Sequence, residues 1–145
     1  MSWANAYVGM PFVDQGRDWT GCDCWGLVRL VYAEKLDIDL LDYQTAYTSA
    51  AEHAEIAALI NREIDMGPWR RTEAPEPFDV LLFRQGRLGS HVGIQINATK
   101  MLHMARGEQA KIEDIHGVRW GNRYLGAYRH VARRTPLNDP LKGSL

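Results

Sequence analysis

The chain has 145 residues, 46% of them apolar and 24% charged, and 17 basic side chains stand against 18 acidic ones for a net charge of -1. Such a chain makes one domain of ordinary size with a core of its own, and it lacks the basic excess that a nucleic acid partner demands. No apolar run approaches the roughly 18 residues that cross a bilayer, so membrane insertion is not expected either. The opening Met1-Ser2-Trp3-Ala4-Asn5 carries no basic segment ahead of an apolar stretch, as an export signal would, and the expectation is synthesis and folding in a cytoplasm.

In chain order, Val8 to Gly21 reads as loop, broken by Pro11, Gly16 and Gly21. A helix follows, capped by Asp23 with Thr20 in a loose capping-box relation, and it runs to about Lys35 with Cys24, Leu27, Val28 and Val31 on one face. A second helix is expected after Ser49, with Glu52 at its capping-box position, an apolar stripe of Ile56, Leu59, Ile60 and Ile64, and Gly67-Pro68 as its stop. The pattern then changes to short β-prone stretches at Asp79 to Arg84, Ser90 to Asn97, Lys100 to Arg106, Ala110 to Ile115 and Leu125 to Val131. Helices first and strands afterwards predict an α+β fold with an antiparallel sheet. Residues 1–134 read as a single domain and 135–145, with Pro136, Pro140 and Gly143, as a C-terminal tail.

Cys22 and Cys24 are the two cysteines, one residue apart. A disulfide at that separation would be strained, so at least one is a free thiol. Cys24 falls at the predicted helix start, where unpaired amides and the helix dipole favour a thiolate nucleophile. His91 opens Ser90-His91-Val92-Gly93-Ile94-Gln95-Ile96, in which alternation sets the histidine beside Gly93 on the face away from Val92 and Ile94; it is the candidate base. His103 lies in the next strand. A three-residue loop, Asn97-Ala98-Thr99, would set residue 103 opposite residue 93 and His103 diagonal to His91, where it could orient that ring. A two-residue loop would put the two histidines on opposite faces. His53, His116 and His130 read as structural or surface residues. Cys22, Cys24, His91 and His103 also offer four zinc ligands, but a one-residue cysteine gap is shorter than the usual zinc spacing.

The string Asp23-Cys24-Trp25-Gly26-Leu27-Val28 resembles the nucleophile motif of NlpC/P60 cysteine peptidases. Pro77-Phe78-Asp79-Val80-Leu81-Leu82-Phe83 is similar to the strand that leads to the family's histidine, and His91-Val92-Gly93-Ile94 to its histidine motif. His103 stands where the family's third polar residue falls, and Pro11-Phe12 and Gly16 resemble its N-terminal loop. The resemblance covers about Val8 to Ala105. It implies a papain-like α+β fold with N-terminal helices on an antiparallel sheet, Cys24, His91 and His103 as catalytic residues, and no metal or organic cofactor. It implies hydrolysis of amide bonds in peptidoglycan stem peptides, commonly the bond between D-glutamate and a diamino acid. Asp23 and Trp25 flank the nucleophile as candidate substrate contacts, with the Trp25 ring, in place of the family's usual serine, narrowing or flooring the groove. Phe12 stands where the family often has a tyrosine hydroxyl. Trp25 and the ending Trp120 to His130, with Gly126-Ala127-Tyr128-Arg129-His130, resemble small phage-encoded members of tail tips. That implies phage or gene-transfer-agent tail proteins as partners, with residues 135–145 and the Trp120 to Tyr128 stretch as candidate partner surfaces. A structural tail module without activity and an acyl or amide transferase are the alternatives on the same fold.

Overall fold

The computed structural model describes residues 3–13, 16–40, 67–85, 88–105 and 107–133. A 3₁₀ turn, Trp3–Tyr7, leads into a two-residue hairpin, β1 (Arg17–Asp18) and β2 (Gly21–Cys22), within the stretch expected to be loop. Helix α1 (Cys24–Val31) follows and is extended by a π-helical turn at Tyr32–Leu36. Strands β3 (Trp69–Thr72), β4 (Val80–Gln85), β5 (Leu88–Gln95), β6 (Lys100–His103), β7 (Lys111–Asp114) and β8 (Tyr124–His130) form one antiparallel sheet in the order β3-β8-β4-β5-β6-β7. This is the α+β arrangement the sequence predicts. The helix expected after Ser49 and the tail 135–145 lie outside the described residues.

Local chemistry explains the helix. The Asp23 carboxylate accepts the Gly26 N–H at 2.7 Å, and the Asp23 carbonyl takes the Leu27 N–H, which satisfies amides the helix start leaves open. Thr20 does not share in this cap as expected. Its amide and hydroxyl both bond to Asp18 Oδ1, at 2.9 and 2.5 Å, and tighten the β1–β2 turn instead. At the other end Asp37 adopts φ 57° and returns its N–H to the Tyr32 carbonyl, a left-handed stop that a short polar side chain tolerates. Among the described residues no helix is long and apolar enough to cross a membrane.

Strand alternation builds a core on each face of the sheet. Val80, Leu82, Val92, Ile94 and Leu102 meet Leu27, Val28 and Val31 of α1. Leu81, Phe83, Met101 and Ala127 point the other way, against Ile115 and Trp120 from the segment after β7. Each such aliphatic side chain contributes about 1.5–3 kcal/mol when fully buried. Strand β3 escapes the sequence reading because Trp69-Arg70-Arg71-Thr72 is an edge, paired to β8 with Arg70 and Arg71 in solvent, and edges carry charge rather than alternation. The N-terminal segment is sewn to the β6–β7 connection by Gly9 N–H to the Ala110 carbonyl (2.9 Å), Ala110 N–H to Met10 (2.8 Å) and Phe12 N–H to Glu108 (3.1 Å).

The entrance to β4 is held by charge. Asp79, fully buried, accepts from Arg129 Nε and Nη2 at 2.9 and 2.7 Å, from Arg133 Nη1 at 2.8 Å, and from the Glu76 amide at 2.7 Å. These bonds join the C-terminal end of β8 to the start of β4. Asp79→Ala leaves the 7%-exposed Arg133 without its counter-ion, and is expected to cost about 3–5 kcal/mol by urea denaturation. A loss below about 1 kcal/mol would show that the cluster does not hold the two strands.

Candidate active site

Cys24 is the first residue of α1 and is partly exposed, whereas Cys22 is fully buried and its Sγ donates to the Asp18 carbonyl at 3.3 Å. The two thiols thus have different surroundings. Cys24 sits where helix amides stabilise a thiolate and where solvent reaches it; Cys22 belongs to the hairpin that delivers the chain to the helix. The neighbours differ from expectation. The Asp23 side chain, 4% exposed, is engaged in the helix cap, and Trp25, 5% exposed, packs into the main core. Trp25 therefore contributes to the core that holds the helix. Phe12 is half-buried and bridges in parallel to Cys22.

The histidine pair is built by register. Asn97 Oδ1 accepts the amides of Thr99 and Lys100, both at 2.9 Å, and closes the loop Asn97-Ala98-Thr99 after Ile96, whose N–H reaches the Lys100 carbonyl at 2.8 Å. Gly93 then pairs with His103, so His91 lies diagonal to His103 on the face it shares with Phe83. A side chain at Gly93 would bring its Cβ to 3.0 Å from Met101 Sδ and 3.3 Å from His103 Cβ, so the absent Cβ lets the two histidines meet. His91 Nε2 and His103 Nδ1 are 3.0 Å apart, and the rings meet edge to face.

The sequence reading missed what lies beyond His103. Its Nε2 is 2.6 Å from Glu113 Oε1 on β7. That oxygen also accepts from Trp120 Nε1 at 3.1 Å and from Arg119 Nη1 at 3.3 Å, while Arg119 Nη2 reaches Glu108 at 2.8 Å. The Trp120 ring stacks on His91 with centroids 4.6 Å apart, and the Arg119 and Arg123 guanidiniums each lie 5.1 Å from the indole centroid. At 1% exposed, Trp120 seals the histidine; it is not an open partner surface, as the sequence suggested.

Charge fixes the protons. Burial raises the Glu113 carboxyl, but hydrogen bonds from His103 and Trp120 outweigh it and hold the group below its ordinary value, as an anion at neutral pH. His103 must therefore donate Nε2–H to Glu113. In the neutral ring His103 Nδ1 is then bare and accepts His91 Nε2–H, which leaves Nδ1 as the basic nitrogen of His91. Burial, then the charges of His103, Arg119 and Arg123, hold His91 well below an ordinary histidine. Burial also lowers His103, against the pull of Glu113. Elsewhere, His116 is exposed beside Tyr124 and His130 packs edge-on to Trp69, both without a part in this array. Among the described residues no group of three or more histidines, cysteines and acids is placed to hold a metal ion.

A model of the NlpC/P60 family matches residues 9–129. The curated protein "Murein DD-endopeptidase MepS/Murein LD-carboxypeptidase" of Escherichia coli (strain K12) is 27% identical over 89% of this chain, which spans 66% of that relative's length. Among solved structures, the NlpC/p60 domain of the peptidoglycan hydrolase SagA superposes with a TM-score of 0.60 at 21% identity, covering 87% of this chain and 92% of that one. A lipoprotein-like NLP/P60 protein of Staphylococcus aureus gives 0.59 at 23% identity, over 88% and 39%. These structural likenesses establish the NlpC/P60 fold.

The lowered histidines have a consequence for stability. The unfolded chain takes up protons near the ordinary value of 6.5, whereas folded His91 and His103 resist them. Their contribution is complete above about pH 6.5 and is lost as pH falls from there toward the depressed folded values, by up to about 1.4 kcal/mol per pH unit for each group. Glu108, held down to about 2 from 4.5, begins to count only in stronger acid. Melting temperature is expected to fall between pH 7 and pH 5, and His91→Gln to flatten that slope. An unchanged slope in the variant would refute the assignment.

Proposed function

The chain belongs to the NlpC/P60 family, and on that premise we propose that it is a cysteine peptidase that hydrolyses amide bonds in the stem peptides of bacterial peptidoglycan. The observation that carries the reading is the line of contacts from His91 through His103 to Glu113, which begins on β5, the strand against which α1 packs with Cys24 at its start. His91 Nδ1 takes the Sγ proton, and the thiolate attacks the peptide carbonyl carbon. The backbone N–H of Cys24 shares in holding the oxyanion. The tetrahedral adduct collapses to a thioester as His91 returns the proton to the leaving amine; water, deprotonated by His91, then attacks the thioester and frees the acid and the thiol. The chemistry calls for no metal or organic cofactor. The wall substrate is supported by the murein peptidase name of the Escherichia coli relative. An inactive module of the same fold would have no use for a buried histidine pair with a defined tautomer.

We place this activity at the tail tip of a phage or phage-like particle, where it opens the wall to the particle. The support is the likeness of Trp25 and the Trp120–His130 stretch to phage-encoded members. Attachment to a tail also concentrates a domain of near-neutral charge at its substrate.

Iodoacetamide is expected to label Cys24 before Cys22 near neutral pH. Cys24→Ala should abolish release of products from defined muropeptides, read by mass analysis, while Cys22→Ala keeps most of it; faster labelling of Cys22 would overturn the assignment. Purified particles should contain the chain, and Cys24→Ala particles should enter walled cells poorly. Its absence from particles would remove the tail role while leaving the peptidase intact.

A further inference from the structure

We infer that Glu113 is a positioning residue that, through His103, dictates which nitrogen of His91 accepts the proton of Cys24, with Arg119 and Trp120 holding its carboxylate in place. The inference rests on the proposal that His91 serves Cys24 as base.

Three strands contribute one group each to a diagonal. Gly93 pairs with His103 and His103 with Lys111, so His91, His103 and Glu113 each stand two residues off direct opposition. A single face of β5, β6 and β7 thus carries an unbroken line of contacts, 3.0 Å and then 2.6 Å. Without the carboxylate nothing in that line distinguishes the two nitrogens of His103. Either ring could turn or exchange its proton, and half the arrangements would place His91 N–H where a bare nitrogen is required. Glu113 removes the ambiguity because an ionised carboxylate only accepts. It is itself fixed, since one of its oxygens receives His103, Trp120 and Arg119 together. Trp120 carries out two tasks at once: its N–H orients Glu113, and its ring covers His91.

The proton inventory stays simple. When Cys24 loses its proton it passes to His91 Nδ1; His91 Nε2–H stays on His91, and His103 Nε2–H stays on His103. The imidazolium that results is stabilised by a dipole, His103, aimed at a charge, Glu113, and no proton travels along the line. The charged groups around the pair are Glu108 in the β6–β7 connection, Lys111 and Glu113 on β7, and Arg119 and Arg123 after it. Three of these are cations that disfavour a second positive charge, so Glu113 and Glu108 are the groups that offset them. Removing the Glu113 charge therefore makes the imidazolium easier to deprotonate.

The test compares the full chain with Glu113→Gln, reading kcat and KM on defined muropeptides and the rate of Cys24 alkylation, each against pH. Expected are a fall of about tenfold in kcat, an unchanged KM, and an alkaline limb moved to lower pH in both profiles. The melting curve should stay two-state. In the unmutated protein, ¹⁵N shifts of the imidazoles at neutral pH should show Nε2 protonated and Nδ1 bare on both His91 and His103, a measurement that needs no variant to fold. Glu113→Gln with the parent profile, or the opposite tautomer on either ring, would overturn the inference. A Cys24→Ala variant that still hydrolyses the peptides would instead overturn the nucleophile and base assignment from which it starts.

Discussion

The pairing of Gly93 with His103 is the constraint on which the site depends. Side chains of a strand alternate with a period of two, so a slip of one residue between β5 and β6 would carry His103 to the face of α1, beside Val92 and Ile94, and turn Leu102 away from it. Two inexpensive devices prevent this. Asn97 closes the connection with its own side chain, and residue 93 lacks the Cβ that would hold the strands' side chains apart.

The two faces of the sheet meet different demands. Toward α1 the contacts are apolar, and the helix gains its position from burial. On the opposite face a polar line is taken out of water, a costly act for any donor or acceptor left unmatched. Here His91, His103 and the Trp120 N–H each have a partner, and the line ends on Glu113, which is still half open to solvent. An ion at the rim keeps part of its hydration while its field reaches inward, which avoids the expense of a wholly buried charge. The thiol side is arranged the other way, with Cys24 partly exposed above a helix whose other first-turn side chains are packed.

Much of this is legible in the residues. Asp23 followed by apolar positions at helical spacing marks α1, and β-prone residues between turn residues mark β4 to β8 to within a few residues, with clear alternation in β5, where His91, Gly93 and Gln95 interleave with Val92 and Ile94. The choice between a two- and a three-residue loop after β5 stays open in the sequence, since an asparagine side chain decides it through bonds that spacing does not encode. Glu113 is hidden for a different reason. Lys111-Ile112-Glu113-Asp114 reads only as part of a short β-prone stretch, and nothing in it singles out one acid from the other. Only the fold shows that one of its acids leans inward. Trp120 is similarly opaque, because its N–H and its ring matter only once β7 and β5 have been brought together.

The hydrogen bonds between residues 9–12 and 108–110 connect parts of the chain that are nearly a hundred residues apart. The segment that leads to Cys24 is thereby laced to the connection that carries Glu108 and, through Arg119, to the anchor of the histidine pair. Contacts of such long sequence separation close late, because the loop entropy is lost before the contact repays it. During synthesis the helix with its cysteine leaves the ribosome first, but the surroundings that complete the histidine pair do not exist until β7 and Trp120 have followed. A nascent chain therefore presents the Cys24 thiol before the line from His91 to Glu113 can form.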